Sequence, residues 1–213
     1  DQFAQLVSLK PRQPEVGSAP RQPETPQSRY LEMLGRLSAG QLGRYAGFYF
    51  EYSLSMAAPG RVLRALARIG QDENGFFHAR FERLTAPGPS RKPVHSRYQG
   101  VPYFLQDRIF LVDGEVLTNN EISQTILYPT YQNRVTRLTG LKIGAAGHGS
   151  RTPTCCRVLW EHLGETVNIN RAWRLCGLYD AMDPAIDPAI RSAIENRIAP
   201  GEVGFTAPIG IVT

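Results

Sequence analysis

Between Tyr45 and Leu84 apolar and polar residues alternate with a period of two, and short turn signals interrupt the alternation. The stretch reads Tyr-Ala-Gly-Phe-Tyr-Phe-Glu-Tyr-Ser-Leu, then Pro59-Gly60, then Arg-Val-Leu-Arg-Ala-Leu-Ala-Arg-Ile, then Asp72-Glu-Asn-Gly75, then Phe-Phe-His-Ala-Arg-Phe-Glu-Arg-Leu. Successive side chains on a strand point to opposite faces, so this pattern gives each strand one apolar and one polar side. It reads as three antiparallel strands in a meander. In the first, Phe48, Phe50, Tyr52 and Leu54 share one face and Tyr49, Glu51 and Ser53 the other. The second fits two periods. As a helix it groups Val62, Leu66 and Ile69; as a strand it sets Leu63, Ala65, Ala67 and Ile69 opposite Arg64 and Arg68. The tight turns on either side favour a strand. In the third, Phe77, Ala79 and Phe81 are expected to face inward, and His78, Arg80 and Glu82 outward.

The rest of the middle of the chain continues in the same manner. Further strands are predicted at Val94–Tyr98, Val101–Leu105, Arg108–Asp113, Ile122–Tyr128, Leu138–Gly144 and Cys155–Trp160. Gln106-Asp107 is a two-residue hairpin turn and Asp113-Gly114 a further turn signal. Roughly eight or nine short strands joined mostly by hairpin-length turns predict a mostly β fold: an up-and-down antiparallel sheet curled toward a barrel. Two short helices flank it. Ser28 to Leu37 is a capped helix whose Leu31, Leu34 and Leu37 form an apolar stripe, and Gly40 and Gly43 end it. Near the other end, Asp187 caps a helix that begins with Pro188 and stops before Pro200.

This organisation divides the chain in three. Residues 1–27 form a Pro-rich linker in which Pro11-Arg-Gln-Pro-Glu15 recurs as Pro20-Arg-Gln-Pro-Glu24. Too little apolar surface is available there to offset the entropy of ordering. Residues 28–163 form the β-rich domain, and residues 164–213 a tail with its short helix. With 42% hydrophobic and 20% charged residues the chain has material for a real core. No stretch approaches the ~20 apolar residues that span a bilayer, and no basic start precedes an apolar run. The expectation is a cytoplasmic protein without a membrane partner. Of 24 basic residues only Lys10, Lys92 and Lys142 are lysine; with abundant Gly, Ala and Pro this points to a GC-rich bacterial genome. The net charge of +5 is dispersed and carries no clear nucleic-acid signature. Three cysteines, Cys155, Cys156 and Cys176, make no disulfide framework.

Gly47-Phe-Tyr-Phe-Glu-Tyr52, the Arg61–Ile69 segment, Tyr98-Gln-Gly100, Arg108–Asp113, Leu138–Gly144 and Arg151-Thr-Pro153 through Leu159 together resemble the C-terminal module of some bacterial helix-turn-helix regulators. The resemblance spans roughly residues 42–163. It implies a β-rich regulatory domain tethered by a linker to a DNA-binding head. Residues 1–43 contain no helix-turn-helix pattern, so DNA would be reached only through a segment or chain outside this one. No functional residues come with the resemblance.

Chemistry-bearing motifs are sparse. Adjacent Cys155 and Cys156 point to opposite faces of a strand and cannot readily share a metal with His148 or His162. Gly144-Ala-Ala-Gly-His-Gly149 lacks the following helix of a phosphate cradle, and no Gly-x-Ser-x-Gly elbow appears. No catalytic residue, metal site or cofactor is assigned. The candidate ligand-binding residues are Tyr49, Arg64, Arg68, His78 and Arg80 on the polar sides of three adjacent strands, where Arg64 and Arg68 would hold a small anionic molecule. The expected function is a non-enzymatic sensor that binds a small molecule or a partner protein, with homodimerisation left open. The alternatives are a ligand-free interaction β-domain and an uncharacterised enzyme built on Asp113, His148, His162 or a cysteine.

Overall fold

A computed structural model of the chain describes residues 25–85, 93–145, 150–198 and 200–209. Most of the linker, the loop over 86–92, the glycine-rich loop over 146–149 with His148, and the last four residues therefore lie outside the described residues. The architecture is an eight-stranded antiparallel barrel with one extra strand outside it. Its strands are β1 (Gly47–Leu54), β2 (Arg61–Asp72), β3 (Gly75–Thr85), β4 (Pro93–Leu105), β5 (Arg108–Glu115), β6 (Ile122–Leu127), β7 (Arg137–Ala145) and β8 (Pro153–Gly164). Each strand pairs with the next in sequence, and β1 closes the cylinder by pairing with β8 as well as β2. The up-and-down barrel expected from the alternation is present.

The hairpins form where the turn residues stand. Asp72 pairs with Gly75 across a two-residue turn, and the Asp72 carboxylate accepts from the Asn74 amide at 2.8 Å. Leu105 pairs with Arg108 across Gln106-Asp107. Two predicted interruptions are absorbed into longer strands. Gly114 stays within β5, paired with Gln99 and Ile122. The two short strands predicted on either side of Gln99-Gly100 are one strand, β4. Gly100 is where that strand passes closest to β5: a Cβ there would lie 1.8 Å from the Val112 carbonyl oxygen. The obstruction is backbone and cannot rotate away. Gly100→Ala is expected to destabilise the barrel by about 1–3 kcal/mol through forced strand displacement, measured by urea unfolding; an unchanged midpoint would show that the strands separate freely.

The N-terminal helix α1 (Pro26–Leu42) is longer than predicted. Its cap is Thr25, whose Oγ1 accepts from the Ser28 amide at 3.1 Å, and Pro26 opens the first turn. Leu31 and Leu37 are not its packing face, being 52% and 64% exposed; Ser38 and Leu42 are buried instead. Leu42 and Tyr45 enter one end of the barrel and stopper it. The Tyr45 ring stacks on Phe104 at 5.9 Å, and its backbone carbonyl accepts from the Tyr49 hydroxyl at 2.6 Å.

The tail also packs. It holds helix α2 (Ile169–Arg174), strand β9 (Gly177–Asp180), which pairs with Arg61–Arg64 of β2, and helix α3 (Pro188–Ala193), capped by Asp187 as expected. Ile186, Ile190 and Ile194 bury against Phe48, Phe50, Tyr52, Val62, Leu66 and Leu159 on the outside of the barrel. At roughly 1.5–3 kcal/mol for each fully buried branched side chain, these three outweigh the four-residue β9 ladder in fixing the tail. Both sides of β1 and β2 are consequently buried, one by the barrel and one by the tail.

Candidate functional site

The register decides what lies inside the cylinder. Directly opposed residues share a face, and Glu51 opposes Ala65, Ala67 opposes Arg80, and Arg80 opposes Tyr98. His78, Arg80 and Glu82 thus point into the barrel with Tyr49 and Glu51, while Phe77, Ala79 and Phe81 are on the outer face. This reverses the inward and outward assignment predicted for β3. The predicted rule equated core with apolar; here part of the barrel interior is charged, and the tail covers the apolar outer face of β1 and β2.

The interior is stratified along its axis. The stoppered end is apolar, with Ile69, Ile109, Leu127, Leu138 and Trp160 packed around Tyr45 and Tyr49. A charged belt follows. Arg80, 2% exposed, donates through Nη1 to Glu82 and through Nη2 to Ser123 Oγ at 3.0 Å, with Asp113 Oδ1 at 3.5 Å. Its guanidinium lies 3.8 Å from the centre of the Tyr98 ring. Lys142 Nζ donates to Glu51 Oε1 at 2.6 Å, and Trp160 Nε1 to Glu51 Oε2 at 2.9 Å. Ser123 donates to Asp113. His78 stacks on Trp160 at 5.5 Å and brings Nδ1 to 3.2 Å from Asp113 Oδ2, out of line for a hydrogen bond.

Charge compensation shapes the protonation of this belt. Burial would raise the Asp113 carboxyl, but Arg80, with help from His78 and Ser123, holds it well below the usual carboxylate range. Burial likewise opposes ionisation of Glu51, and Lys142 and Arg80 outweigh it, leaving the group lowered. At Glu82 burial prevails over Arg80 and Lys142, and the carboxyl is raised. Beyond the belt the barrel opens. A cavity of about 270 Å³ lies at this mouth, walled by Ser53, Leu63, Leu84, Val94 and Ser96 and floored by Arg80, Glu82, Lys142 and Ser123. Glu115 and Glu121 line its rim. Glu121 accepts from the Tyr98 hydroxyl at 2.9 Å and the Ala145 amide at 3.2 Å.

The five predicted binding residues do not form one site. Only Arg80 lines the cavity. Tyr49 is at the stoppered end, its ring 5.1 Å from Trp160, and His78 is in the belt. Arg64 and Arg68 are outside, on the face of Phe48 and Tyr52. Arg64 sits among the rings of Phe50, Tyr52 and Tyr179 and donates to the Ala185 carbonyl at 2.5 Å, fastening the tail. Arg68 lies over Phe48 and Phe77. Their separation from the cavity removes the ground for expecting them to hold an anion. Glu82, on the same polar side of its strand as Arg80, also lines the cavity. Tyr98, Glu121 and Lys142 were missed as cavity residues; the cue for Tyr98 and Lys142 was their interior place in the period-two pattern, once the interior is allowed to be polar.

The reactive groups proposed for an enzyme are dispersed. Cys155 is exposed, whereas Cys156 is buried beside Lys142, its thiol pushed by burial up to about 11. Cys176, itself part of the tail, is buried between it and the barrel, its thiol pushed by burial up to about 12. His162 packs on Tyr49 at the stoppered end. Ser123 bonds Asp113 and not His78, so serine and histidine are not coupled as nucleophile and base. Among the described residues no group of three or more His, Cys, Asp or Glu side chains could hold a metal ion, and no helix is long and apolar enough to cross a membrane. No family model, curated protein or solved structure matches the chain.

Proposed function

We propose that the barrel is the sensing module of a bacterial transcriptional regulator and that it takes a small polar molecule at its open mouth without transforming it. The observation that carries this reading is the asymmetry of the cylinder: Leu42 and Tyr45 stopper one end, and the other opens on a cavity of about 270 Å³ with a polar floor. Ligand pockets are concave and combine apolar walls with a few placed polar groups, typically at ~300–1,000 Å³. This one falls just below that range, suiting a molecule of amino-acid or monosaccharide size. The Gly47–Tyr52 and Arg61–Ile69 segments that resemble regulator modules form β1 and β2, next to this cavity. DNA contact belongs, on this reading, to a separate segment or chain.

The test is thermal melting against a metabolite library, paired with a variant whose mouth is filled. A ligand present at 100 times its Kd adds about 2.7 kcal/mol to stability, which for a domain of this size raises Tm by about 5–10 °C. Ser96→Phe, a substitution at the cavity wall, is expected to keep the fold and abolish the shift. A library without any stabilising member, or a shift that persists in Ser96→Phe, would overturn the reading.

A further inference from the structure

The cations of the barrel interior are already spoken for. Glu51, itself held by the Trp160 indole N–H, accepts from Lys142, and Arg80 is engaged by Glu51, Glu82, Asp113 and Ser123 and on one face by Tyr98. Within the belt the charges of Arg80 and Lys142 match those of Glu51 and Asp113. The other carboxylates, Glu82, Glu115 and Glu121, all line the cavity, and among the described residues the lysine and arginine side chains lining it are the two just accounted for. Glu115 is tied to the amides of Leu117 and Thr118. Glu121 has one neutral donor on each oxygen, and among the described residues the hydrogen-bond partner of Glu82 is Arg80. A second, independent feature points to an occupant. Arg80 reaches the cavity while 98% buried, and its Nε–H has no partner among the described residues. Buried donors left unmet are uncommon and costly.

We infer that the cavity takes a small molecule carrying an ammonium or guanidinium group, held by Glu82 and Glu121, with an oxygen acceptor directed to the Arg80 side of the floor. This rests on the reading of the mouth as a ligand site and adds the ligand's class. The ligand's cation offsets the excess of carboxylates over the two interior cations, Glu82 sharing Arg80 with Glu51 and Asp113, and hydrogen bonds in which both partners are charged are the strong ones. Leu63, Leu84 and Val94 supply apolar wall for the ligand's carbon atoms beside those contacts.

The test uses two series matched in size and differing in charge: glucosamine, glucose and gluconate, and ethanolamine, ethylene glycol and glycolate. Binding to the full chain is read by ligand-observed NMR at neutral pH. The amine of each series is expected to bind at least tenfold more tightly than its neutral and anionic counterparts. Glu121→Gln and Glu82→Gln, which keep an acceptor oxygen, are each expected to reduce that preference severalfold without lowering Tm by more than a few degrees. Tighter binding of gluconate or glycolate would overturn the inference and leave the sensing role standing. Equal binding, or none, across both series would overturn it too, and the library melt with Ser96→Phe then decides separately whether the mouth is a ligand site. Preference for amines that survives both substitutions would place the cation elsewhere and also refute it.

Discussion

Replacing Arg80 with alanine is expected to cost about 3–5 kcal/mol of stability, the range for removing one partner of a buried ion pair. The change would leave Glu51, Glu82 and Asp113, each no more than 6% exposed, with Lys142 as their remaining cation. Domains of this kind have about 5–15 kcal/mol in all, so the variant should unfold at markedly lower urea and approach the edge of folding. The pH dependence separates lost charge from lost packing. Asp113 and Glu51 have folded-state values held below the ordinary ones, so the stability they contribute is present above the unfolded carboxylate range near ~4 and is lost as pH falls through the folded values. Without Arg80 the carboxylates are stranded, and protonating them becomes favourable. The deficit of the alanine variant should therefore shrink as pH is lowered from 7 toward 4. A deficit below about 1 kcal/mol, or one independent of pH, would mean that the guanidinium does not neutralise the belt. Combining Arg80→Met with Asp113→Asn and Glu82→Gln should recover part of the loss, because uncharged groups of similar shape can replace a buried ionic cluster.

Trp160→Ala should be comparably damaging, at about 3–5 kcal/mol for an aromatic removed from a packed core. The indole is fully buried, lies between the Tyr49 and His78 rings at 5.1 and 5.5 Å, and is a junction between the apolar stopper and the charged belt. Trp160→Phe divides the loss into its parts. It keeps most of the packing but deprives Glu51 Oε2 of its 2.9 Å donor, leaving a buried acceptor unmet at about 1–3 kcal/mol. Denaturant unfolding of the three proteins measures both. If phenylalanine restores wild-type stability, the indole N–H is not holding Glu51.

The barrel was legible because its cause is local. Period-two alternation and two-residue turns such as Glu73-Asn74 and Gln106-Asp107 set strand, hairpin and register together. The candidate site was less legible because its cause is global. On β3 both faces carry large side chains, Phe77 and Phe81 on one and His78, Arg80 and Glu82 on the other. Nothing within that strand says which face the closed sheet encloses. The answer came from the tail, whose Ile186, Ile190 and Ile194 cover the aromatic face of β1 and leave the charged face to the interior. Those isoleucines lie more than a hundred residues from Phe50. Arg64 was misread for the same reason: its neighbours Tyr179 and Ala185 belong to that tail. Gly100, by contrast, fell in the gap between two predicted strands, and the structure makes it a crowded position inside one strand.

The bonding of the first barrel strand to the eighth means that the cylinder has no seam. No barrel strand presents its whole length of amide and carbonyl groups to solvent, and β9, the strand outside the cylinder, is four residues long. An open sheet of the same sequence pattern would invite other chains to add themselves strand by strand. Here that route to fibres is shut by topology alone, which frees the surface residues from serving as gatekeepers and leaves room for exposed apolar side chains such as Ile126 and Ile143 on the outer wall.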